Sequence, residues 1–292
     1  MAEELPTWEH WQHGWQSGIN RLNFSLRSFL SWTPGRYRET PAGPSFWNDL
    51  SGVDLDRAQA LRARYGLETL TNRAAPVRVL ETLTYLNWLD QMSAACPSWF
   101  TGLAQRAGNL ADSPAGAIRW LDVGAKNWAY VEALSSFSTQ QFGSGFQLDG
   151  IELDPHRRYI NGHTRGQAAR KFITAIPQAA YHEGDIRYWQ QPITIASLFL
   201  PFVFEEPHLA WGLPLDYFAP QDILEHVLTL LQPGGLLIIV NQGEAEAEAQ
   251  ERLLRKAQAN YPLEIQALGP LATHFIQYRY PRLGWVCRKI SS

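Results

Sequence analysis

The chain is most constrained by an alternation that begins at Ile118. Ile118-Arg119-Trp120-Leu121-Asp122-Val123 is a short apolar-rich run closed by Gly124. Such a run, bounded by a turn residue, reads as a strand. Residues 146–153 read as a second strand and 159–176 as a helix with Gly162 and Gly166 as weak points. Residues 180–183 read as a third strand, and 193–203 as a fourth that Pro201 cuts short. An amphipathic helix over 221–231, the turn Gln232-Pro233-Gly234-Gly235 and a buried strand over 236–240 follow. Strands that alternate with helices imply a parallel sheet covered on both faces. The chain closes on two expected strands, 275–280 and 284–290, with 263–268 as a competing strand. An antiparallel element following the parallel sheet is expected there.

The first third of the chain has a different period. Trp8, Trp11, Trp15, Ile19, Leu22, Leu26 and Phe29 step by three or four, which lines one face of a helix that Thr7 can cap. Thr33-Pro34-Gly35 and Pro41-Ala42-Gly43-Pro44 interrupt it. Helices are expected over 55–65 and 76–92, with Pro76 in the first turn, and Pro97 opens a fourth. The chain has 12 Trp, and Trp8, Trp11, Trp15, Trp32, Trp47, Trp88 and Trp99 all precede the α/β part. Core packing of a helical unit is the expected role of these rings, with an aromatic substrate or partner surface as the alternative. The division falls near residue 112, in the turn-like stretch Asp112-Ser113-Pro114-Ala115-Gly116. An N-terminal helical cap (1–112) and an α/β core (113–292) are therefore expected.

Composition narrows the partners. A net charge of −3 over 292 residues supplies no broad cationic field, so nucleic acid is not the expected partner. Cys96 and Cys287 are the two cysteines and fit no metal spacing. His163, His182, His226 and His274 show none either, so no metal is expected. The acidic N-terminus has no apolar stretch of signal-peptide type, and the longest apolar-rich run, 196–204, is far below the ~20 residues of a spanning helix. A soluble, cytoplasmic protein without a membrane partner is expected.

In an open α/β sheet, ligands sit beyond the carboxyl ends of the strands, where the strand order reverses. The residues there carry a resemblance. Leu121-Asp122-Val123-Gly124, Asp149-Gly150-Ile151-Glu152, Gly184-Asp185-Ile186 and Leu231-Gln232-Pro233-Gly234-Gly235 occur in the order of the class I S-adenosylmethionine-dependent methyltransferase motifs. The chain resembles that family over roughly residues 117–290. Its first motif diverges: Lys126 and Trp128 stand where the family places further glycines. No G-x-G-x-x-G dinucleotide fingerprint follows the first strand.

The resemblance implies a doubly wound, mostly parallel seven-stranded α/β sheet and S-adenosylmethionine as cofactor. It gives Glu152 the ribose hydroxyls, a task suited to a group with two acceptor oxygens. Asp185 would take the adenine amino group and the Ile186 N–H a ring nitrogen. Asp122 would hold the loop, and Gly124 would let the backbone approach. Lys126 or Asn127 would meet the methionine carboxylate. Each acid also has a plain structural reading, as a strand-end, turn or capping residue.

After the fourth strand comes Phe199-Leu200-Pro201-Phe202-Val203-Phe204-Glu205-Glu206-Pro207-His208, which lacks the acid-or-amide, Pro-Pro, aromatic pattern of the family's amine methylators. His208 and Glu205 are the candidate proton acceptors, since an imidazole titrates near neutrality; an ordinary charged surface loop is the alternative. Asn241 and Gln242 are possible substrate contacts, and Glu244, Glu246 and Glu248 read as helix-start acids that complement the dipole. The expected function is methyl transfer to a small-molecule acceptor, under a Trp-rich cap. The other reading is a catalytically silent methyltransferase-like protein that binds a ligand or a partner.

Overall fold

The computed structural model describes residues 7–30, 35–109 and 118–290. The expected turn at 112–116 with its domain boundary, the break at Thr33-Pro34, Trp32 and the side chain of Thr7 lie outside the described residues.

Helices α1 (Thr7–Phe29), α2 (Leu55–Arg64), α3 (Pro76–Ala95) and α4 (Pro97–Asn109) precede the sheet. Asp54 caps α2 by accepting from Arg57 N at 2.9 Å, and Pro76 sits in the first turn of α3. The α/β part runs β1 (Ile118–Val123), α5 (Val131–Phe142), β2 (Phe146–Glu152), α6 (Arg165–Phe172), β3 (Ala179–Glu183) and β4 (Ile193–Phe199). It continues through α7 (Glu205–Ala210), α8 (Pro220–Leu230), β5 (Leu231–Gln242), α9 (Gly243–Ala257), β6 (Leu263–Leu271) and β7 (Arg282–Lys289). The strand order is β3-β2-β1-β4-β5-β7-β6. β1 to β5 are parallel, and β7 is antiparallel to β5 and β6. This is the seven-stranded class I methyltransferase arrangement, and its switch point lies between β1 and β4.

Alternation along the strands sends side chains to two layers. Trp120, Ile195, Leu236, Ile238 and Val240 join the core shared with α2 to α5. Leu121, Ala196, Leu198, Leu237 and Ile239 face α8 and α9. The α3 helix is buried around its girth, and it packs on α5, β6 and β7. Helices α2 to α4 thus belong to the same hydrophobic core as the sheet.

Three local expectations are corrected. The helix expected from 159 begins only at Arg165. Gly162 adopts φ 80° and Arg158 bridges Thr164, so the chain turns first. A capping box between Thr164 and Gln167 then starts α6. The partner of the last strand is Leu263–Leu271, in register from Leu263↔Lys289 to Leu271↔Arg282, and not 275–280. The stretch between β6 and β7 instead packs on α3: Asn87 Nδ2 donates to Ala272 O at 2.8 Å, the Tyr278 ring lies 6.0 Å from that of Trp88, and Phe275 is buried.

The third correction concerns Trp. Trp88 is fully buried, as core packing requires, but Trp8, Trp11 and Trp15 on α1 are 59%, 81% and 75% exposed. The opposite, polar side of α1 makes the docking contacts. Asn20 Nδ2 donates to Leu209 O at 2.9 Å and Leu213 O at 3.0 Å, and Ser17 Oγ accepts from Leu215 N at 2.9 Å. Carbonyls and an N–H left open around a six-residue helix find partners in these side chains.

Candidate functional site

The loop after β1 follows a glycine path without the glycines. Gly124, Lys126 and Trp128 have φ of 75°, 55° and 50°. A side chain in that region costs about 1–2 kcal/mol, and specific bonds hold Lys126 there. Its N–H donates to Glu152 Oε2 at 2.7 Å, and its carbonyl accepts from Tyr181 Oη at 2.6 Å. The indole of Trp128 turns into the core, above Gly150. No atom comes within 4 Å of a Cβ built on Gly124, so the backbone there is open to a ligand.

Glu152 ends β2 and faces the same space. Its Oε1 accepts from Asp154 N at 2.8 Å and from Arg165 at 3.3 Å. With one bond on Oε2, a carboxylate with four lone-pair directions keeps one for a further donor. Asp122 lies on the buried side of the loop, with Ser197 Oγ donating to Oδ1 and Tyr130 Oη to Oδ2 at 2.8 Å. Burial lifts its carboxyl to about 7 against these donors. It braces β1, β4 and Tyr130, and does not line the cavity.

The cavity holds about 520 Å³, within the range of small-molecule sites. Gly124, Lys126, Glu152, Asp185, Ile186 and His208 line it, whereas Asn127 and Glu205 do not. The Asp185 carboxylate accepts from Arg187 N at 2.9 Å and from its guanidinium, which is the turn-capping role. Glu205 meets His13 Nδ1 at 3.1 Å and stays outside the cavity lining, yet its charge still reaches His208 and favours the imidazolium. His208 is buried, and its Nε2 donates to Pro214 O at 3.0 Å. That bond leaves Nδ1 as the lone-pair atom. Burial lowers the imidazole from its ordinary value, so the ring is neutral at pH 7.

The site also takes residues that sequence reasoning missed. Tyr85 of α3 stacks on Tyr130 at 3.7 Å and 5°, and Phe199 meets both edge-on. Trp211 lies under three cations, with Arg165 at 4.9 Å, Arg157 at 5.4 Å and Lys126 Nζ at 5.9 Å. Burial first, then the neighbouring Arg165, holds the Arg157 guanidinium below its ordinary value. Of the candidates beyond β5, Gln242 and Glu246 line the cavity, whereas Asn241 is fully buried and does not. Glu246 also accepts from Gln242 N at 2.8 Å, which closes the start of α9. No helix among the described residues is long and apolar enough to cross a membrane, and no group of metal-ligating side chains occurs among them.

No protein-family model matches the chain, and no curated protein matches its sequence. Solved structures do resemble it. An S-adenosylmethionine-dependent methyltransferase from Clostridium acetobutylicum is 10% identical, with a TM-score of 0.44, over 70% of this chain and 92% of that one. The plantazolicin methyltransferase BamL, in complex with a triazolic desmethyl analogue and S-adenosylhomocysteine, is 12% identical, with a TM-score of 0.41, over 82% and 100%. An rRNA methylase from Streptococcus thermophilus is 14% identical, with a TM-score of 0.39, over 60% and 88%. The last corrects the expectation of a small-molecule acceptor with no nucleic acid: enzymes of both acceptor classes are among the resembling structures. A net charge averages the whole surface and does not report local arrangement, such as Lys126, Arg157 and Arg165 around Trp211.

Proposed function

We propose that the chain binds S-adenosylmethionine at the carboxyl ends of β1 and β2 and transfers its methyl group. The observation behind this reading is Glu152, a carboxylate with an open lone pair that faces the cavity beside a loop of glycine-type path. The residues present fit the group. Glu152 would take the ribose hydroxyls, and Gly124 leaves room for close approach. Lys126 would meet the methionine carboxylate. Ile186 and Asp185 would flank the adenine, with the Asp185 carboxylate shared with Arg187.

When bound, the sulfonium supplies a methyl group that needs no further activation. The chain then contributes position and a dry site. The faces of Tyr85, Tyr130 and Phe199 exclude water and present negative ring potential. His208, neutral and with Nδ1 open, is the group that takes a proton from an oxygen or nitrogen acceptor.

Calorimetric titration tests the reading. S-adenosylmethionine or its demethylated product is expected to bind at ~1–100 μM, the range of many enzyme substrates, and Glu152→Ala is expected to weaken it at least tenfold. No heat with either compound at about 1 mM refutes the proposal. A second reading, binding without turnover, draws on the Asp185–Arg187 pair, which already engages the expected adenine acceptor. Methylated product from the bound enzyme separates the two.

A further inference from the structure

The outward face of α1 is an exposed apolar feature of the described surface that neither fold nor cavity explains. Trp8, Trp15, Leu22 and Phe29 recur every seventh residue, with Trp11 and Leu26 between them. Their exposures are 59%, 75%, 62%, 85%, 81% and 46% in that order. A seven-residue spacing keeps a seam on one side of a helix, as in paired helices. The docked residues Ser17 and Asn20 lie on the other side, so the stripe is not a face waiting for the body of its own chain. Gly14 and Gly18 flank the stripe, and no atom lies within 4 Å of a Cβ built on either. They leave a notch without side chains, one helical turn long, beside Trp15.

We propose that this face is the contact surface of a two-fold homodimer, with α1 of one copy lying antiparallel on α1 of the other. Area supports a second copy. At roughly 150–250 Å² for each aromatic ring, the stripe presents on the order of 1,000 Å² per copy. A two-fold pair that covers even half of it clears the ~1,000 Å² total expected of a specific interface. Charge argues against a lipid surface. Interfacial helices flank their apolar face with Lys and Arg to meet anionic headgroups. The only such residues of α1 are Arg21 and Arg27, and they pair with Asp216 and Asp154 of the same chain. A two-fold antiparallel pair also sets ring against notch twice, once at each end of the contact, so the same patch serves both copies.

The full chain is to be examined by equilibrium sedimentation at several concentrations. The expected mass is twice that of the chain. Trp11→Glu with Trp15→Glu is expected to give the monomer mass with unchanged circular dichroism and denaturation midpoint, since both rings are exposed in one copy. A second measurement uses Gly18→Cys, near the middle of the stripe, under mild oxidation. Cys96 and Cys287 are buried and do not compete. Disulfide-linked dimer at Gly18→Cys, and none at the exposed Glu248→Cys on α9, supports the pairing. A wild-type monomer at about 100 μM overturns it, as does a dimer indifferent to the Trp changes. Flotation of a monomeric wild-type chain with phosphatidylserine vesicles, lost in the Trp variant, assigns the face to lipid and also overturns it.

Discussion

A Cβ on Gly150 would stand 2.8 Å from the ring carbons of Trp128. Trp128 is fully buried, so the indole occupies the space that any side chain at 150 would need. The loop after β1 has exchanged a small residue for the largest one, and the neighbouring strand supplies the room. Gly150→Ala is expected to cost ~1–3 kcal/mol by overpacking. Combined with Trp128→Gly, the added methyl meets no ring, and the two changes should cost less together than apart. Denaturant midpoints of the two single variants and the double variant check this; strictly additive losses would refute it.

Glu152 joins the loop to the strand before it meets any ligand. Glu152→Gln leaves one acceptor oxygen and places an amide N–H against Lys126 N or Asp154 N, which both donate. The expected loss is ~1–3 kcal/mol of stability, accompanied by at least tenfold weaker cofactor binding. Glu152→Asp, with a shorter reach, should lose the Lys126 bond as well. Thermal unfolding, with and without S-adenosylhomocysteine, measures both effects.

Asp122 makes stability depend on pH. Burial pushes its carboxyl up to about 7 in the folded chain, against an ordinary value of 3.8. Between these values the folded chain holds a proton that the unfolded chain releases, so stability falls as pH rises. The contribution is fully present below pH ~4 and is lost as pH rises through about 7, with a slope near 1 kcal/mol per pH unit. In urea titrations the difference between wild type and Asp122→Asn should carry this slope from about pH 4.5 to 6.5 and flatten above about 7. A pH-independent difference would contradict the buried, protonated acid.

His208 behaves in the opposite sense. Burial lowers its imidazole from 6.5, so the stability it carries is present above that value and drains away as pH falls through its folded pKa. Nitrogen shifts are expected to show the Nε2-protonated neutral ring at pH 7, with Nδ1 unprotonated. A midpoint above 6.5, or the other tautomer, rules out the proton-acceptor role given to Nδ1.

Asn20 fastens α1 to the wall of the cavity. Its amide serves two carbonyls, those of Leu209 and Leu213, and both residues flank Trp211. Asn20→Ala is expected to cost ~1–3 kcal/mol in local opening and to speed amide exchange across 205–217 at least tenfold. Unchanged exchange there would show that α1 does not hold the segment.

The sheet was legible because each strand carries its own punctuation. Val123-Gly124, Glu152 and Gly184-Asp185 sit at strand ends where the chain must turn, and the period changes on either side of them. Residues 275–280 looked like a strand because aromatic and β-branched residues are dense there, but Phe275 is buried in the core and Tyr278 packs against Trp88 of α3 without ladder pairing. The site was legible at one edge only. Glu152, Lys126 and Ile186 follow strands and so declare themselves, whereas Tyr85 comes from a helix that is buried on all sides and has no distinctive face. Glu205 and His208 lie three residues apart on one short helix, yet only His208 lines the cavity while the Glu205 carboxylate meets His13 of α1. The α1 stripe misled for a different reason: periodicity reveals that a helix has an apolar face, and says nothing of which side its own chain will claim.

The position of α3 also bears on how the chain is made. This helix needs cover from β7, yet it leaves the ribosome some two hundred residues earlier. At about 5–20 residues per second, the side of α3 that β7 covers stays open for on the order of 10–40 s. A nascent chain of this design exposes a helix that the finished fold buries around its girth long before the strand that completes its shelter, so chaperone occupancy during synthesis should centre on residues 76–95.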